Sequence, residues 1–253
     1  MIEAFVPFVR DARCLIVAAA AMLVAGCATT SPEDPFEGYN RAMFKVNEKI
    51  DDAVLKPLAQ GYAKVTPRPV RNSVSNAFAN VAEPWVGLNN LLQGKPADSI
   101  SDVMRFLVNS TFGIAGLFDV ATEAGLPKHD EDFGQTLAVW GVGDGPYVVL
   151  PFFGARTLRD AVVLPLDATL DDAWRLTPRI ATRNALSVVQ ITNERAAALG
   201  LERTLEEGTL DKYRFVRDFY LQQRRYKVHD GNPPALEDDF YDGGDDAHSR
   251  LSQ

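Results

Sequence analysis

The stretch from Phe133 to Asp160, FGQTLAVWGVGDGPYVVLPFFGARTLRD, constrains the fold more than any other part of the chain. Its apolar and aromatic residues follow neither the helical nor the strand period, which excludes both an ordinary core strand and a solvated loop. Gly141, Gly143 and Gly145 permit positive φ, and Pro146 then stiffens the backbone. Within lipid, such a segment satisfies its backbone polar groups only when it is buried in protein or lines a polar cavity. We therefore expect the rest of the chain to pack around this stretch.

The overall composition sets the size of the fold and excludes one class of partner. With 253 residues and 46% hydrophobic content, the chain can bury one large core or two modest ones, and we predict one domain. The net charge of -8 argues against nucleic acid as a partner, because an acidic chain lacks a broad basic surface. Cys14 and Cys27 both lie near the N-terminus, so we expect no disulfide within the folded part.

The N-terminal segment has the pattern of an export signal followed by a lipid anchor. Arg10 and Arg13 precede the run LIVAAAAMLVAG, which suits a signal peptide and is too short to span a bilayer comfortably. The segment ends in LVAGC, which looks like a bacterial lipobox, so residues 1–26 are predicted to be removed and Cys27 to be acylated. Ala28 stands where an aspartate would indicate inner-membrane retention, which predicts the outer membrane. The alternative is an ordinary signal peptide with a chance cysteine.

After a tether at residues 27–34, the chain carries a series of amphipathic helical patterns. A capping signal at Asp34 and Glu37 begins a helix that is predicted to be interrupted near Pro57. A second helix is predicted to run as far as Pro84, and a short third piece is closed by Gly94.

A fourth helix is predicted from Pro96, and its apolar content continues to Val120. Arg105, Gly113 and other polar or small residues interrupt this stretch, so it does not form a single transmembrane span. Two alternatives stay open. It is either the core helix of a soluble domain, which composition alone favours, or a segment within the membrane whose polar residues face protein or water. The lipid anchor predicted at Cys27 gives the membrane alternative more support than composition alone does.

Two short motifs have weak functional meaning. The run from His129 to Asp132 could hold a metal, but a lone histidine among acids is usually a solvated turn, and we predict no metal site. The GVGDG pattern resembles half of a nucleotide-binding fingerprint, but the third glycine is missing and Pro146 follows where a helix should continue.

The C-terminal part contains two predicted helices and a tail. The first runs from about Pro178 to Leu199 and ends at Gly200. The second, within Thr209–Val228, is basic and aromatic, which fits anionic headgroups, an acidic protein surface, or equally an ordinary surface helix with aromatic residues in the core. Residues 229–253 are acidic and are predicted to be disordered.

Several motifs in the same order resemble the MlaA/VacJ family of outer-membrane lipoproteins. They are LVAGC, DPFEGYNRAMFKVNEKI, PRPVRNSVSNAFANVAEPWVGLNNLLQG, RFLVNSTFGIAGLFDVA, FGQTLAVWGVGDGPYVVLPFFGARTLRD and YRFVRDFYLQQRR. The resemblance implies an all-α, ring-shaped domain at residues 35–228, made of amphipathic helices with a glycine-rich loop or hairpin and embedded in one leaflet. It further implies a place in the inner leaflet of the outer membrane, beside trimeric porins.

The implied function is retrograde phospholipid transport. Phospholipids mislocalised to the outer leaflet would pass through an amphipathic channel to a periplasmic phospholipid-binding shuttle protein, which maintains lipid asymmetry. A water-containing channel would lower the cost of moving a charged headgroup through hydrocarbon. The chain has no Walker motif, which is consistent with a passive conduit, and the lipid on Cys27 is the only non-protein group that we expect.

The glycine-rich stretch supplies the candidate site residues. We expect Gly141, Gly143, Gly145 and Pro146 to shape a mobile loop next to the channel. Four further residues are placed near its mouth: Asp144, Tyr147, Arg159 and Asp160. For Arg159 and Asp160, plain helix capping and ion pairing is an equally good interpretation.

Two other functions compete with transport. An envelope hydrolase would also use a lipid anchor, but the chain lacks the G-x-S-x-G, H-E-x-x-H and S-x-x-K motifs. Its histidines, His129, His229 and His248, are poorly distributed for catalysis, although a pair of acidic residues could still act. The other alternative is a structural lipoprotein that braces a porin. We predict that the protein is not an enzyme.

Overall fold

The computed structural model describes residues 34–172, 175, 177–208 and 210–234, with only the backbone described at 201–208. The predicted signal peptide and Cys27 lie outside these residues, as do nearly all of the tether and most of the acidic tail. These assignments therefore stay predictions. The described chain is mostly helical, as the family resemblance implies, with one antiparallel hairpin in the glycine-rich stretch. The exclusion of a core strand from this stretch is wrong, because Tyr147–Leu150 is a strand whose alternate residues Tyr147 and Val149 are buried.

The elements follow one another along the chain as α1 (Glu37–Ile50), a π-helical turn (Asp51–Leu55), α2 (Lys56–Val65), α3 (Arg68–Leu92), α4 (Pro96–Thr111), α5 (Val120–Glu123), α6 (Phe133–Val139), β1 (Tyr147–Leu150), β2 (Gly154–Thr157), α7 (Leu158–Leu170), α8 (Ile180–Gly208) and α9 (Lys212–Val228). None of the described helices combines the length and apolar character that crossing a bilayer requires.

The first helix begins close to the predicted position, but Asp34 does not cap it. The N-cap is Phe36, and no side chain satisfies the first free amides. The Asp34 carboxylate is fully buried, where it accepts hydrogen bonds from Asn40 Nδ2 at 2.9 Å and from the Tyr213 hydroxyl. Asp34 therefore joins α1 to α9, a long-range role that a local capping pattern does not reveal.

The interruption predicted near Pro57 is the π-helical turn that directly precedes α2. Helical dihedral angles continue through Ile50, Leu55 and Lys56, so the chain does not break. Pro57 lies in the first turn of α2, a position where a proline costs little. Within the π turn, Asp51 forms an ion pair at 2.7 Å with Arg195 of α8, which fastens this turn to the later part of the chain.

The break predicted at Pro84 is wrong, because α3 is one continuous helix from Arg68 to Leu92. A proline within a helix removes one hydrogen bond and usually kinks or ends it. Here polar side chains on both sides of Pro84 tie α3 to the antiparallel α4. Asn80 donates to Ser110 at 2.9 Å, and Asn90 donates to Asp102 at 2.7 Å.

The hairpin is held by two asparagines of α1 that lie two helical turns apart. Asn40 accepts a hydrogen bond from Val149 N at 2.8 Å and donates to Tyr147 O at 3.1 Å. Asn47 donates to Leu150 O and accepts from Phe152 N, each at 2.9 Å. These amides satisfy the free edge of β1, which a two-stranded ribbon would otherwise expose.

The helix predicted to end at Gly200 continues to Gly208. Glycine terminates helices mainly by adopting positive φ at the C-terminus, and Gly200 does not do so. An interior glycine costs only about 1 kcal/mol in helix propensity, so the contacts of α8 outweigh it. The segment after Asp160, which the sequence showed only as alternating apolar and acidic residues, is the helix α7 with Pro165 inside it.

Candidate functional site

The polarity of the described chain is inverted relative to a water-soluble domain. Most of its largest fully buried side chains are polar or charged: Arg105, Gln135, Asn40, Asn89, Asn90, Thr136, Thr157, Asp34 and Asp102. Many large apolar side chains face outward instead. Water-soluble domains bury residues such as Ile, Val, Leu and Phe and keep Arg and Asp at the surface, so this distribution suits surroundings that are themselves apolar.

The helix α4 shows the inversion most clearly. Its buried positions are Ser99, Asp102, Arg105 and Asn109. Its apolar side chains point away from the protein: Ile100, Val103, Met104 and Leu107. The turn that follows exposes Phe112 at 72%. The structure therefore excludes the interpretation of this stretch as the core helix of a soluble domain, and it leaves the alternative in which its polar residues face protein.

Arg105 is the centre of the polar interior. Its side chain is 1% exposed, and its Nε donates to Glu83 of α3 at 2.9 Å. The other two guanidinium nitrogens donate to Thr122, Leu126 O and Asp119. Burial opposes the change, but hydrogen bonds from Thr122 and Asn109 and the charge of Arg105 lower the pKa of Asp119 to about 2. One guanidinium thus connects α3, α4 and the segment that begins α5.

The described chain contains a partly open cavity of about 970 Å³ that has both polar and apolar walls. It is bordered by α1, the π turn, the hairpin and helices α7, α8 and α9. Its apolar lining consists of Ile50, Leu55, Phe152, Phe153, Leu164, Ala168 and Ile191. Its charged lining consists of Asp132, Arg156, Asp160, Asp167, Asp171, Asp172, Arg175, Glu194, Arg224 and Lys227. A cavity of this kind accommodates a charged group and hydrocarbon side by side.

One wall of the cavity is acidic and partly desolvated. Burial raises the pKa of Asp171 to about 7, with further increases from the charges of Asp172 and Asp167. Burial also raises the pKa of Asp167, although its carboxylate accepts hydrogen bonds from the amide of Phe133 at 2.9 Å and from the indole of a tryptophan. The pKa of Glu194 is raised by burial as well. Asp171 is itself exposed where it opens onto the cavity, so the surrounding protein and the neighbouring acidic charges raise its pKa without removing its carboxylate from water.

Ion pairs between α9 and the starts of α6 and α7 form another part of the cavity wall. Arg224 donates to Asp132 at 2.5 Å and to Asp160 at 2.8 Å. The hydroxyl of Tyr220 donates to the second oxygen of Asp160 at 2.7 Å. Burial opposes the shift, but the bonds from Arg224 lower the pKa of Asp132. Arg224 is therefore paired with two acidic side chains of the protein itself.

The glycine-rich loop is fastened to the start of α7. The guanidinium of Arg159 forms an ion pair with Asp144 at 2.6 Å and donates to Val142 O at 3.1 Å. The backbone amides of Leu158 and Arg159 donate to Pro146 O and Asp144 O. The loop is thus tied to α7 by both backbone and side-chain contacts.

Of the three predicted glycines, two adopt positive φ, Gly141 at 90° and Gly145 at 66°. A Cβ on Gly145 would lie 3.0 Å from the Cβ of Leu158, whereas a Cβ on Gly141 or Gly143 would meet nothing within 4 Å. Gly145 is therefore the glycine that the close approach to α7 requires.

The structure does not bring the four predicted mouth residues together at one site. Asp160 lines the cavity, and it also contacts Arg159 Nε at 3.3 Å. Its amide donates to Thr157, which caps α7. Asp144 and Arg159 fasten the loop. Tyr147 is 2% exposed in a hydrophobic cluster with Val149 and Tyr213.

Sequence reasoning missed most of the cavity lining. Asp167 and Asp171 lie four residues apart with Leu164 and Ala168 on the same face, a pattern that a helical assignment of this segment would have revealed. Arg156 carries no local signal, because only the strand register shows where it faces. His129, singled out with its acidic neighbours, contacts Asp102 at 2.6 Å, and no cluster suited to a metal occurs among the described residues.

The fold and the cavity define a mostly helical protein that buries many polar side chains, exposes many large apolar ones and contains an amphipathic cavity. The family model of the MlaA lipoprotein matches residues 32–227. The chain belongs to this family.

Two curated relatives carry the name intermembrane phospholipid transport system lipoprotein MlaA, one from Shigella flexneri and one from Escherichia coli. Each is 34% identical over 239 residues, which cover 87% of this chain and 93% of the relative. The Haemophilus influenzae protein of the same name is 31% identical and covers 83% of this chain and 88% of its own length.

A solved structure also resembles the chain, and it is described as the structural basis for maintenance of bacterial outer membrane lipid asymmetry. The TM-score is 0.67 at 35% sequence identity. The match covers 77% of this chain and 98% of the solved one.

Proposed function

We propose that this protein removes phospholipids from the outer leaflet of the outer membrane and delivers them to a periplasmic lipid carrier. The observation that carries the proposal is the amphipathic cavity of about 970 Å³ within a protein of inverted polarity. Moving a bare charged headgroup through hydrocarbon costs several kcal/mol or more. Charged walls and water in the cavity offset that cost, while the acyl chains stay in apolar surroundings.

The exposed apolar surface supports the proposed membrane position. Ile100, Leu107 and Phe112 on and after α4 face outward beside other large apolar side chains. We propose that this surface lies in the acyl chains of the inner leaflet, with a lipid on Cys27 as a second attachment. One lipid chain gives only weak membrane binding, whereas several chains or an embedded surface give stable anchoring. A trimeric porin beside the protein and a periplasmic shuttle below it complete the proposed assembly.

We further propose that transport requires no catalysis. Of the described histidines, His129 contacts Asp102, and His229 contacts the backbone carbonyl of Arg225. Both contacts suit structural roles. The direction of lipid movement would then be set by the carrier that accepts the lipid, since the cavity itself offers only a path.

A cavity-blocking variant tests the proposal. Ala168 lines the cavity, so Ala168→Trp should obstruct it, whereas Ala53 is exposed on the π turn and Ala53→Trp serves as the matched control. Each variant would complement a deletion strain at equal protein level, and phospholipid in the outer leaflet would be measured by labelling intact cells. We expect accumulation in the deletion strain and with Ala168→Trp, and normal asymmetry with Ala53→Trp.

Other outcomes would contradict the proposal. Normal asymmetry in the deletion strain would remove transport as the function. If the deletion altered porin abundance without surface phospholipid, the porin-bracing alternative would hold. If a lipid-cleaving activity disappeared when a single cavity carboxylate was replaced, hydrolysis would replace transport.

A further inference from the structure

Arg156 is a cation of the cavity wall whose charge the described protein does not neutralise. The antiparallel register pairs Arg156 with Val148 and pairs Ala155 with Val149. Val149 and Ala155 belong to the hydrophobic cluster around Tyr213. Because successive residues of a strand point to opposite faces, Arg156 faces away from that cluster and into the cavity that it lines.

The other cations of the cavity have acidic partners. Arg224 binds Asp132 and Asp160, Lys227 lies 2.5 Å from Asp130, and Arg175 lies 2.6 Å from Asp172. Within the part of the chain that the structure describes, Arg156 has no such ion pair and no side-chain hydrogen bond. Because the guanidinium of Arg156 is half-buried and has no acidic partner, it is available to bind an anion that enters the cavity.

The chemistry of that anion follows from the guanidinium and its surroundings. A planar fork of N–H donors matches two oxygens of a phosphate group. Phe152 and Phe153, at the turn of the same hairpin, give the cavity an apolar wall that suits the glycerol and acyl portion of a lipid. The acidic residues of the opposite wall would repel a second negative charge, so an anion needs a nearby cation in order to enter.

We infer that Arg156 binds the phosphodiester of a glycerophospholipid in transit, which makes it the headgroup-binding residue of the cavity. This inference rests on the proposed transport function. Binding is transient, since a conduit must release the lipid again. Arg156 therefore holds the headgroup at one step of its passage, while the apolar lining receives the beginning of the acyl chains.

The test measures phospholipid bound to the full mature protein purified in a mild detergent. Native mass spectrometry would count bound lipid in the wild type, Arg156→Gln, Arg156→Lys and Arg214→Gln. Arg214 is an exposed arginine of α9 whose partner Asp211 lies outside the cavity lining, so its variant is the matched control. We expect about tenfold weaker lipid binding for Arg156→Gln, partial recovery with Arg156→Lys and no change for Arg214→Gln.

The outcomes separate this inference from the proposed function. Lipid bound equally by the wild type and Arg156→Gln would overturn the role of Arg156 and leave transport standing. No lipid on the wild type, even after incubation with phosphatidylethanolamine vesicles, would overturn the transport proposal itself. A parallel titration with inorganic phosphate distinguishes the source of the anion. Phosphate binding at Arg156 without any lipid binding would identify a free-phosphate site and contradict the inference.

Folding does not confound the comparison, because Arg156→Gln removes no ion pair that the described residues form. Equal thermal unfolding temperatures of wild type and variant would establish this. If Arg156→Gln is less stable, Arg156→Lys keeps the charge and provides the comparison. A lysine variant that is stable but binds as little lipid as Arg156→Gln would contradict phosphate binding.

Discussion

The buried charge of Arg105 illustrates how single residues stabilise this protein. Its guanidinium contacts Glu83 and Asp119, so replacing it leaves two carboxylates without their partner. Removing one member of a buried ion pair typically costs about 3–5 kcal/mol. We expect Arg105→Gln to lower the free energy of unfolding by that amount, measured by denaturant unfolding in detergent.

Arg214→Gln is the control for that measurement. The pair of Arg214 and Asp211 is at 3.5 Å, and both side chains are exposed to solvent. Water and salt screen exposed pairs, which therefore contribute little to stability, so this variant should unfold like the wild type. If Arg105→Gln had the same free energy of unfolding as Arg214→Gln and the wild type, the buried contacts of Arg105 would not be essential to stability.

Asp171 gives the stability of the protein a specific dependence on pH. Its pKa of about 7 in the folded state exceeds the value of about 4 expected when the chain is unfolded. The folded state therefore binds this proton more tightly. The stability that this group contributes is fully present below about pH 4 and is lost as the pH rises to about 7.

Asp171→Asn should remove this dependence, because asparagine does not ionise. Water in the cavity screens the carboxylate, so we expect the variant to gain only about 1 kcal/mol relative to wild type between pH 5 and pH 8. That gain corresponds to an increase in melting temperature of about 2–4 °C. Melting curves of both proteins at a series of pH values would measure it, and a constant difference across the range would contradict the assignment.

At the scale of elements, the glycine-rich loop depends on one glycine more than on its neighbours. Gly145 has positive φ and lies against Leu158, whereas Gly143 has neither constraint. A side chain at positive φ costs about 1–2 kcal/mol. Gly145→Ala should therefore loosen the contact between the loop and α7. Hydrogen exchange at the amides of Leu158 and Arg159, which donate to the loop, should become about tenfold faster.

Gly143→Ala provides the matched comparison for the loop. An added Cβ at Gly143 meets no atom within 4 Å, so exchange at the same two amides should stay at the wild-type rate. Unchanged exchange in both variants would mean that the loop is held without help from Gly145. The side chain of Arg159 and its ion pair with Asp144 would then be sufficient.

The elements also show what sequence periodicity reveals and what it misses. The apolar spacing predicted α1 and α4 as helices, because a stripe at three- and four-residue intervals has one structural explanation. It did not reveal which stripe faces inward. In α4 the polar stripe is buried and the apolar stripe exposed, so the usual assumption that apolar residues form the core would place this helix backwards.

The helix breaks were mispredicted for a related reason. Pro84 and Gly200 are local signals for a break, and tertiary contacts outweigh both of them. Asp34 has the local pattern of a capping residue but bonds to Tyr213, which lies far along the chain. The family resemblance implied a loop or hairpin in the glycine-rich stretch, and the structure has a hairpin there. The cavity lining depends on register and on long-range packing, which the sequence does not show.

At the scale of the whole molecule, apolar surroundings would explain both the inverted polarity and the charged cavity. A protein embedded in lipid gains little by burying apolar side chains, because the lipid is equally apolar. Polar networks such as that of Arg105 then hold the helices together, and their hydrogen bonds are protected from water. In the proposed membrane position, the charged wall of the cavity would offer phospholipid headgroups a path through apolar surroundings.

Depth-resolved fluorescence quenching tests this account most directly. Phe112 lies on the exposed apolar surface and Gln223 lines the cavity, so each would be replaced by cysteine and labelled in protein reconstituted into bilayers. We predict that a label at position 112 is quenched by brominated acyl chains and protected from iodide, and that a label at position 223 shows the reverse. Strong iodide quenching at position 112 without a response to brominated lipid would contradict the account.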